Sequence, residues 1–263
     1  MKVAAKKSLG QHFLSNPRIV ADIVAAADVS DQDTILEVGP GTGILTAALA
    51  ERAGRVVAVE KDRRLIAPLR EQFAERANVH IVEGDIMTLD PASLGLVLRT
   101  YKVVANIPYY ITSHLMRRML ESWPPPVCAI LMVQKEVADR LRAVPPNMNL
   151  LALSVRSFAD VEYIRMVARG NFRPIPDVDS AVISIVPHAP ILSPEELPVF
   201  FRLSRSAFQH KRKRLVTTLA EELGRSKEWC SSLLDRAGVG GNARPQELGL
   251  DRWIFLTREI AGK

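Results

Sequence analysis

The stretch Thr34 to Gly43 reads TILEVGPGTG, and an apolar-periodic stretch from Ile44 to Ala53 follows it. An apolar run that ends in a glycine-rich loop and continues at helical spacing predicts a strand, a tight loop and a helix, the first half of a βαβ unit. The glycines are spaced G-x-G-x-G, and Ile44 stands where dinucleotide-binding proteins have their third glycine. A pyrophosphate is therefore not the expected ligand, although the loop permits close backbone approach to a bulky one.

Three more short apolar runs follow, and polar side chains stand at their ends: Glu60, Asp85 and Asn106. The carboxyl ends of parallel strands meet at one edge of a sheet, where open α/β folds bind ligands, so we expect these three residues to lie beside Gly39. A carboxylate at Glu60 suits two ribose hydroxyls, and one at Asp85 suits an adenine amine. Taken singly, each acid is equally well explained as a loop residue or a helix cap. The runs are residues 56–59, 79–82 and 102–106.

Asn106 begins the corner Asn106-Ile107-Pro108-Tyr109. Pro108 has no N–H and pushes Ile107 towards extended geometry, so backbone carbonyls here are free to face a ligand. The Asn106 carboxamide oxygen and a carbonyl are then two adjacent acceptors, and Tyr109 adds a flat apolar face. This set suits the exocyclic amine of a flipped base. The alternative is an ordinary strand-end turn, because Asn and Pro are common turn formers.

Composition predicts a folded protein with room for a large domain and a smaller one, since 48% of its 263 residues are hydrophobic and 24% are charged. The net charge of +6 favours a polyanionic partner. The longest apolar run, Val127 to Val133, is too short to cross a bilayer, and the start of the chain has no signal-peptide pattern, so we expect a cytoplasmic protein without membrane association. The spacing of Cys128, Cys230 and the histidines predicts neither a disulfide scaffold nor a metal site.

Basic residues mark both ends of the chain. Lys6 and Lys7 lie in an arm free of acidic residues, ahead of a predicted helix from Pro17 to Ala27 with Asn16 as its N-cap. The middle of the chain is less informative. There the patterns predict helices over 115–123, 134–142 and 150–159 and strands over 127–133 and 182–186.

A proline-rich stretch, 187–194, separates this part from an all-α module. The first helix of the module is predicted to extend through Leu219, and further helices are predicted around 227–237 and 251–260. An uninterrupted basic run lies on that first helix. Such a run is usually a solvated face, but beside a base-modifying site it favours contact with nucleic acid. The run is Lys211, Arg212, Lys213 and Arg214.

The glycine loop, Glu60, Asp85 and the Asn106 to Tyr109 corner together resemble the ordered motifs of Rossmann-like S-adenosylmethionine methyltransferases that act on adenine N6. More narrowly, the chain resembles the ribosomal RNA adenine dimethyltransferases of the bacterial small-subunit type over nearly its whole length. The stretches that carry this resemblance are 7–14, 106–113, 132–141 and 172–182. The chain departs from the family pattern at 147–150 and at 168–177. These departures affect loop shape and RNA contacts there and leave the cofactor motifs unchanged.

The resemblance implies an α/β fold with a mostly parallel central sheet flanked by helices, and a role for each matching residue. Asn106 and the Ile107 carbonyl would orient the target amine, while Tyr109 and Phe172 would stack on the target base. The cofactor, S-adenosylmethionine, would be held by the residues His12, Leu14, Gly39, Gly41, Glu60, Asp85 and Asn106. RNA would be held by Lys6, Lys7 and the run from Lys211 to Arg214.

The expected protein is a catalytic domain over 1–187 joined to a small RNA-binding domain over 188–263. By resemblance it is a monomer that dimethylates two adjacent adenosines in the 3′-terminal hairpin loop of 16S ribosomal RNA in the small subunit, a step linked to ribosome biogenesis. Two alternatives stay open. One is a methyltransferase of the macrolide-resistance kind, acting on 23S ribosomal RNA. The other is a largely non-catalytic assembly or transcription factor on the same fold.

Overall fold

We analysed a computed structural model of the chain, which describes Lys6, residues 10–210 and residues 212–262. In that part of the chain the main sheet has seven strands in the order β4-β3-β2-β5-β6-β9-β7, and a two-stranded ribbon pairs β1 with β8. The strands are β1 (Phe13–Leu14), β2 (Thr34–Val38), β3 (Arg55–Glu60), β4 (Val79–Glu83), β5 (Tyr101–Asn106), β6 (Ala129–Gln134), β7 (Ala159–Val167), β8 (Phe172–Arg173) and β9 (Ser180–Pro187).

Helices pack around this sheet and form the C-terminal part of the chain. They are α1 (Pro17–Ala26), α2 (Ile44–Ala50), α3 (Arg63–Gln72), α4 (Thr112–Glu121), α5 (Lys135–Leu141), α6 (Leu150–Arg156), α7 (Glu196–Gln209), α8 (Leu215–Leu223), α9 (Lys227–Arg236) and α10 (Leu250–Ala261). Among the described residues, every helix is too short or too polar to span a bilayer. The α/β fold with a helical C-terminal portion is the one predicted from the sequence.

Strands β2 to β6 run parallel, and β9 lies antiparallel between β6 and β7. The central strands are largely apolar because helices cover both faces of a parallel sheet. Residues 129–133 of β6, for example, are all buried. All five parallel strands therefore end at one edge, and that edge carries the polar residues singled out above.

The sequence predicts the helices near the glycine loop well, because their ends carry clear signals. The Asn16 side chain accepts from the Arg18 N–H at 2.9 Å, and Pro17 is the first helical residue of α1. The loop before α2 has left-handed backbone at Gly39, Gly41 and Gly43, the conformation for which glycine is favoured.

Strand β7 was not predicted, and the helix predicted over 150–159 ends at Arg156 instead. The strand lies at the edge of the sheet, so only one of its sides pairs, and most of its side chains are at least partly exposed. Such a strand has no continuous apolar run. Its pattern is broken further by a register shift between Tyr163 and Arg165.

The helix predicted to extend through Leu219 is also wrong. Helix α7 ends at Gln209 and α8 begins at Leu215, so the described residues of the basic run form a connection between two helices. In that connection the Lys213 N–H bonds the His210 carbonyl at 2.7 Å, and the Leu215 N–H bonds the Ala243 carbonyl.

The chain divides into two compact units. One comprises the described residues up to Ala138 together with Ala159–Pro187, and the other comprises Asp139–Phe158 together with the described residues from His188 onward. The sequence placed 139–158 in the catalytic domain, whereas the structure groups this segment with the helical part. Met148, Ala152 and Leu153 of the segment are buried in the helical core, which also contains Phe200 and Trp253.

Candidate functional site

A cleft opens at the carboxyl edge of the parallel strands. It is lined by nearly all residues that the sequence predicted for the cofactor and the target base, although these are spread over almost a hundred positions of the chain. Those residues are His12, Gly39, Gly41, Glu60, Asp85, Asn106, Ile107 and Tyr109. Among the described residues, no group of His, Cys, Asp and Glu side chains is arranged to hold a metal ion.

The Glu60 carboxylate is fixed at the end of β3 by backbone donors. Its Oε1 accepts from the Asp62 N–H at 2.8 Å and its Oε2 from the Gly41 N–H at 3.2 Å. The side chain is buried, and this burial raises the pKa of the carboxyl in spite of the backbone hydrogen bonds. Each carboxylate oxygen has a second acceptor position, so Glu60 can take hydrogen bonds from two neighbouring hydroxyls.

The neighbouring Asp62 is held from two sides. Its Oδ2 accepts from Gln11 Nε2 at 2.9 Å and from Arg64 Nη2 at 2.5 Å. The Arg64 guanidinium holds the pKa of this carboxyl well below its ordinary value. Asp62 thus attaches the N-terminal segment to the end of β3 beside Glu60.

Asp85 follows β4 and lines the same cleft. Partial burial raises its pKa, but a hydrogen bond from Lys61 Nζ at 2.8 Å and one from the Met87 N–H at 2.9 Å outweigh this, and the net pKa is lowered. The carboxylate therefore stays ionised at neutral pH. It can accept from an amine that enters between it and the apolar wall formed by Ile86.

The floor of the cleft is backbone, because the glycine loop puts no side chain there. A Cβ added to Gly41 would lie 2.9 Å from Phe13 Cδ1, and one added to Gly39 would lie 3.7 Å from Pro108 Cδ. The cleft thus combines two carboxylates, apolar walls and a floor without side chains. This combination suits an adenosine with a bulky 5′ substituent. The residues present therefore fit S-adenosylmethionine.

Asn106 is oriented by the N-terminal segment. Its Nδ2 donates to the His12 carbonyl at 3.3 Å. This bond fixes the orientation of the carboxamide and hence the position of its oxygen, the group's only hydrogen-bond acceptor. The next residue, Ile107, donates its N–H to the Met132 carbonyl at 3.2 Å, which fixes the corner to strand β6.

Tyr109 is held at its hydroxyl and on its ring. The hydroxyl and Ser180 Oγ are 2.7 Å apart, and the His12 ring stacks on the tyrosine with 5.9 Å between centroids and 24° between planes. His12 is in turn fixed by a contact of 2.9 Å between Nδ1 and the Pro174 carbonyl. Burial raises the pKa of the phenol, so Tyr109 is neutral and acts as an apolar face.

Two predicted site residues do not face the cleft. Phe172 is fully buried and Leu14 nearly so, and both belong to the core between helix α1 and the sheet. They are partners in the β1–β8 ribbon, whose side chains alternate between its two faces, so Leu14 points inward while Phe13 lines the cleft. Neither side chain presents a surface to the cleft in this structure, so the stacking of Phe172 on the target base and the cofactor contact of Leu14 stay predictions.

The sequence missed several residues that shape the cleft: Gln11, Phe13, Lys61, Tyr110 and Ser180. Gln11 and Phe13 belong to the resemblance motif 7–14, but nothing in their spacing shows that this loop folds over the glycine loop. Ser180 is 71 positions from Tyr109, and no local pattern reveals that pairing.

Of the predicted RNA contacts, Lys7 and Lys211 lie outside the described residues, and Lys6 is exposed. The other three cations follow α7. Lys213 pairs with Glu221 at 3.1 Å and Arg214 donates to Asn242 at 3.2 Å, whereas Arg212 extends its side chain into solvent.

Glu37, in strand β2 behind the glycine loop, is a buried acid next to the site. It is 1% exposed, and its Oε2 has no hydrogen-bond partner among the described residues. Burial raises its pKa to about 8, and repulsion from Glu60 adds to that effect. Glu37 is therefore protonated in the folded protein at neutral pH.

We expect Glu37→Gln to stabilise the protein increasingly as the pH rises from 5 to 8. In this window the unfolded chain releases a proton that the folded chain keeps, so wild-type stability falls by up to about 1.4 kcal/mol per pH unit from this group. The neutral amide has no such dependence. Urea unfolding at pH 5, 6.5 and 8 measures the difference.

Glu75→Gln is the control, because it makes the same chemical change at an exposed carboxylate. Its stability should follow the wild-type curve. If the Glu37→Gln curve also ran parallel to wild type across the window, Glu37 would not carry a raised pKa.

Known proteins resemble this chain over nearly its whole length. Over residues 2–254 the chain matches the family described as "Ribosomal RNA adenine dimethylase". A relative from Dehalococcoides mccartyi is 42% identical over 96% of this chain and 87% of its own length, and one from Moorella thermoacetica is 39% identical over 97% and 92%. Both are named "Ribosomal RNA small subunit methyltransferase A".

Solved structures of the same kind cover nearly the whole chain. A dimethyladenosine transferase from Plasmodium falciparum superposes with a TM-score of 0.80 at 27% identity, over 95% of this chain and 98% of its own. The 23S rRNA methyltransferase ErmE superposes with a TM-score of 0.76 at 29% identity, over 94% of this chain and 98% of its own. The fold is thus shared with an enzyme named for 23S rRNA and with one named as a dimethyladenosine transferase.

Proposed function

The chain belongs to the ribosomal RNA adenine dimethylase family, and on that premise we propose that it dimethylates N6 of two adjacent adenosines in the 3′-terminal hairpin loop of 16S ribosomal RNA, with S-adenosylmethionine as methyl donor. Its relatives at 36–42% identity carry the small-subunit name, which favours 16S RNA as the target. One observation carries the chemistry: the adenosine-binding carboxylates and the Asn106 corner share a single cleft.

Glu60 and Asp85 would hold the adenosyl part of the cofactor, Glu60 through the ribose hydroxyls and Asp85 through the adenine amine. The glycine loop leaves room for the methionine part, which would extend towards His12. When bound, the cofactor supplies an electrophilic methyl group on a sulfonium. The apolar walls of the cleft exclude water from that cation, which favours transfer of the methyl group to a neutral nitrogen.

The Asn106 carboxamide oxygen and the Ile107 carbonyl would accept the two N–H groups of the target amine. An adenine amine is a weak nucleophile because its lone pair is delocalised into the ring. Two acceptors that hold its hydrogens favour a pyramidal nitrogen with the lone pair directed at the methyl group. Positioning of this kind accounts for a large part of many enzymatic rate enhancements.

Tyr109 would stack on the extruded target base. Its ring is set by Ser180 and His12 before any substrate arrives, so little freedom is lost when the base enters. Stacking is worth roughly 1–3 kcal/mol per base, and extrusion costs a few kcal/mol. The proton that the methylated nitrogen loses leaves after transfer, so no strong side-chain base is required.

The test is transfer of tritiated methyl groups from S-adenosylmethionine to undermethylated small ribosomal subunits, followed by nucleoside analysis. Dimethyladenosine in the 3′-terminal hairpin is the expected product. Label in monomethyladenosine alone, or at another position, would contradict the proposal.

A second candidate is methylation of 23S ribosomal RNA, which the superposition on ErmE favours. Parallel reactions on large subunits, with primer extension to map the modified adenosines, separate the two. Signal on large-subunit RNA alone would replace our proposal. A protein that binds the particle and the cofactor but transfers no label would be an assembly factor on this fold.

We propose that the enzyme acts on the small-subunit particle as a cytoplasmic monomer and that its helical unit binds RNA phosphates. Arg212→Ala is expected to weaken RNA binding severalfold and to reduce the slope of log K against log salt by about 0.7–0.9, the value for one phosphate contact. Filter binding at several salt concentrations measures both quantities.

Arg63→Ala is the matched control, because Arg63 is an exposed arginine of the other unit that pairs with Glu83. An unchanged salt slope in Arg212→Ala would exclude a phosphate contact at this residue.

A further inference from the structure

Tyr110 stands at the mouth of the cleft and has no assigned role. Its side chain lines the cleft, yet the residue is 52% exposed. Among the large apolar residues that are exposed in the described part of the chain, Tyr110 is the one aromatic. An aromatic ring that is left exposed beside a binding cleft is a characteristic contact surface for a partner.

Tyr109 and Tyr110 are consecutive but differ in surroundings. Tyr109 is the inner ring, half-buried and fixed by Ser180 and His12. Tyr110 is the outer ring, and on one side it packs against Gly10, where an added Cβ would lie 3.6 Å from Tyr110 Cδ1. The Gly10 backbone therefore supports the outer ring while much of its surface stays open.

A positive charge accompanies the outer ring. Lys61 lines the same cleft and is half exposed, and its Nζ pairs with Asp85 at 2.8 Å. A flat apolar face matches a nucleobase, and the Lys61 ammonium, which has three donors and uses one on Asp85, can also donate to a phosphate. The base that Tyr110 contacts is not the one inside the cleft, because Tyr109 and the Asn106 corner surround that position.

We propose that Tyr110 is a stacking platform for the purine next to the target adenosine. This inference rests on the proposed function, in which two adjacent adenosines are modified in turn. When one adenosine enters the cleft, its neighbour loses a stacking partner, and the outer ring replaces that partner at the mouth.

The first test uses undermethylated small subunits and separates KM from kcat. Tyr110→Ala is expected to raise KM for the particle about 5- to 150-fold, the range for loss of one stacked base, with a smaller change in kcat. Tyr110→Phe keeps the ring and is expected to restore KM. Cofactor affinity, measured by calorimetry, reports whether the cleft itself is intact.

The second test observes the neighbouring base directly. The RNA is a hairpin with two adjacent loop adenosines, of which the neighbour of the target is replaced by 2-aminopurine. The fluorescence of 2-aminopurine is quenched when it stacks. Wild type and Tyr110→Phe are expected to quench this signal at saturating protein, and Tyr110→Ala is expected to quench it less. Equal quenching by all three proteins, or a wild-type KM in Tyr110→Ala, overturns the proposal.

A further comparison distinguishes failure of this inference from failure of the proposed function. If the neighbouring adenosine is changed to uridine, wild type should bind the hairpin more weakly. Tyr110→Ala, which already lacks the stacking ring, should lose little further affinity from the same change. If the base change and the Tyr110→Ala substitution lowered affinity additively, the proposed stacking would be overturned. If wild type transferred no methyl group to any substrate, the proposed function would fail, and the binding and fluorescence comparisons would still decide the role of Tyr110.

Discussion

Asn106→Ala is expected to lower the single-turnover rate of methyl transfer by about 10²–10³-fold, the cost of removing one preorganised hydrogen-bonding group at a reacting centre. The carboxamide oxygen is one of two acceptors for the target amine, and alanine leaves that amine planar and misaligned. Rapid-quench measurement with small subunits in excess isolates the chemical step. RNA binding should stay within about twofold of wild type, because Asn106 contributes no phosphate contact.

The matched control is Asn78→Ala. The Asn78 amide also donates to backbone carbonyls, those of Ala50 and Ala53 at 3.0 and 2.8 Å, but it precedes β4 at the opposite edge of the sheet. It should therefore affect thermal stability and leave the rate unchanged. A rate within tenfold of wild type in Asn106→Ala would remove Asn106 from the mechanism. Thermal melting of both variants separates loss of structure from loss of chemistry.

Glu60→Gln is expected to weaken cofactor binding by about 100-fold or more, since hydrogen bonds to a charged acceptor are worth roughly 1.5–3 kcal/mol each. The amide NH2 also replaces one carboxylate oxygen, so either the Gly41 N–H or the Asp62 N–H loses its acceptor. Calorimetric titration with S-adenosylhomocysteine measures the loss. Glu83→Gln is the control, because Glu83 ends the adjacent strand β4 directly opposite Glu60 but pairs with Arg63 and does not line the cleft.

The same contact makes cofactor affinity depend on pH. Because burial raises the pKa of Glu60, its protonation competes with cofactor binding, and affinity should decline as the pH is lowered from 8 towards 5. Asp85 has a lowered pKa and stays ionised over this range. Glu60→Gln should show a flat profile. An unchanged affinity in this variant, or an equal pH slope in both proteins, would mean that Glu60 does not hold the ribose.

The strand ends of the candidate site could be predicted from the sequence because each carries a local signal. A buried parallel strand reads as a continuous apolar run, and the first polar residue after it marks the carboxyl edge. Gly39, Glu60, Asp85 and Asn106 follow from this rule alone. Their meeting in one cleft then requires only that the strands be parallel neighbours, which β2, β3, β4, β5 and β6 are.

The remaining features depend on contacts between distant parts of the chain. Strand β7 pairs along one side only and lacks an apolar run, and the break before α8 falls within a stretch whose apolar spacing continues through it. The burial of Phe172 follows from a two-residue ribbon with Phe13 and Leu14, which are some 160 positions away. Tertiary pairing decides these cases, and local periodicity carries no information about it.

Because the helical unit is built from 139–158 and the described residues after 187, the two units cannot be separated by a single cut in the chain. A protein truncated after Pro187 would retain Met148, Ala152 and Leu153 but lose the helices that cover them, so it should aggregate instead of yielding a free catalytic half. The same holds for recombination between relatives. A chimaera that exchanges only the C-terminal segment would mismatch a shared core, whereas one that also carries 139–158 should fold.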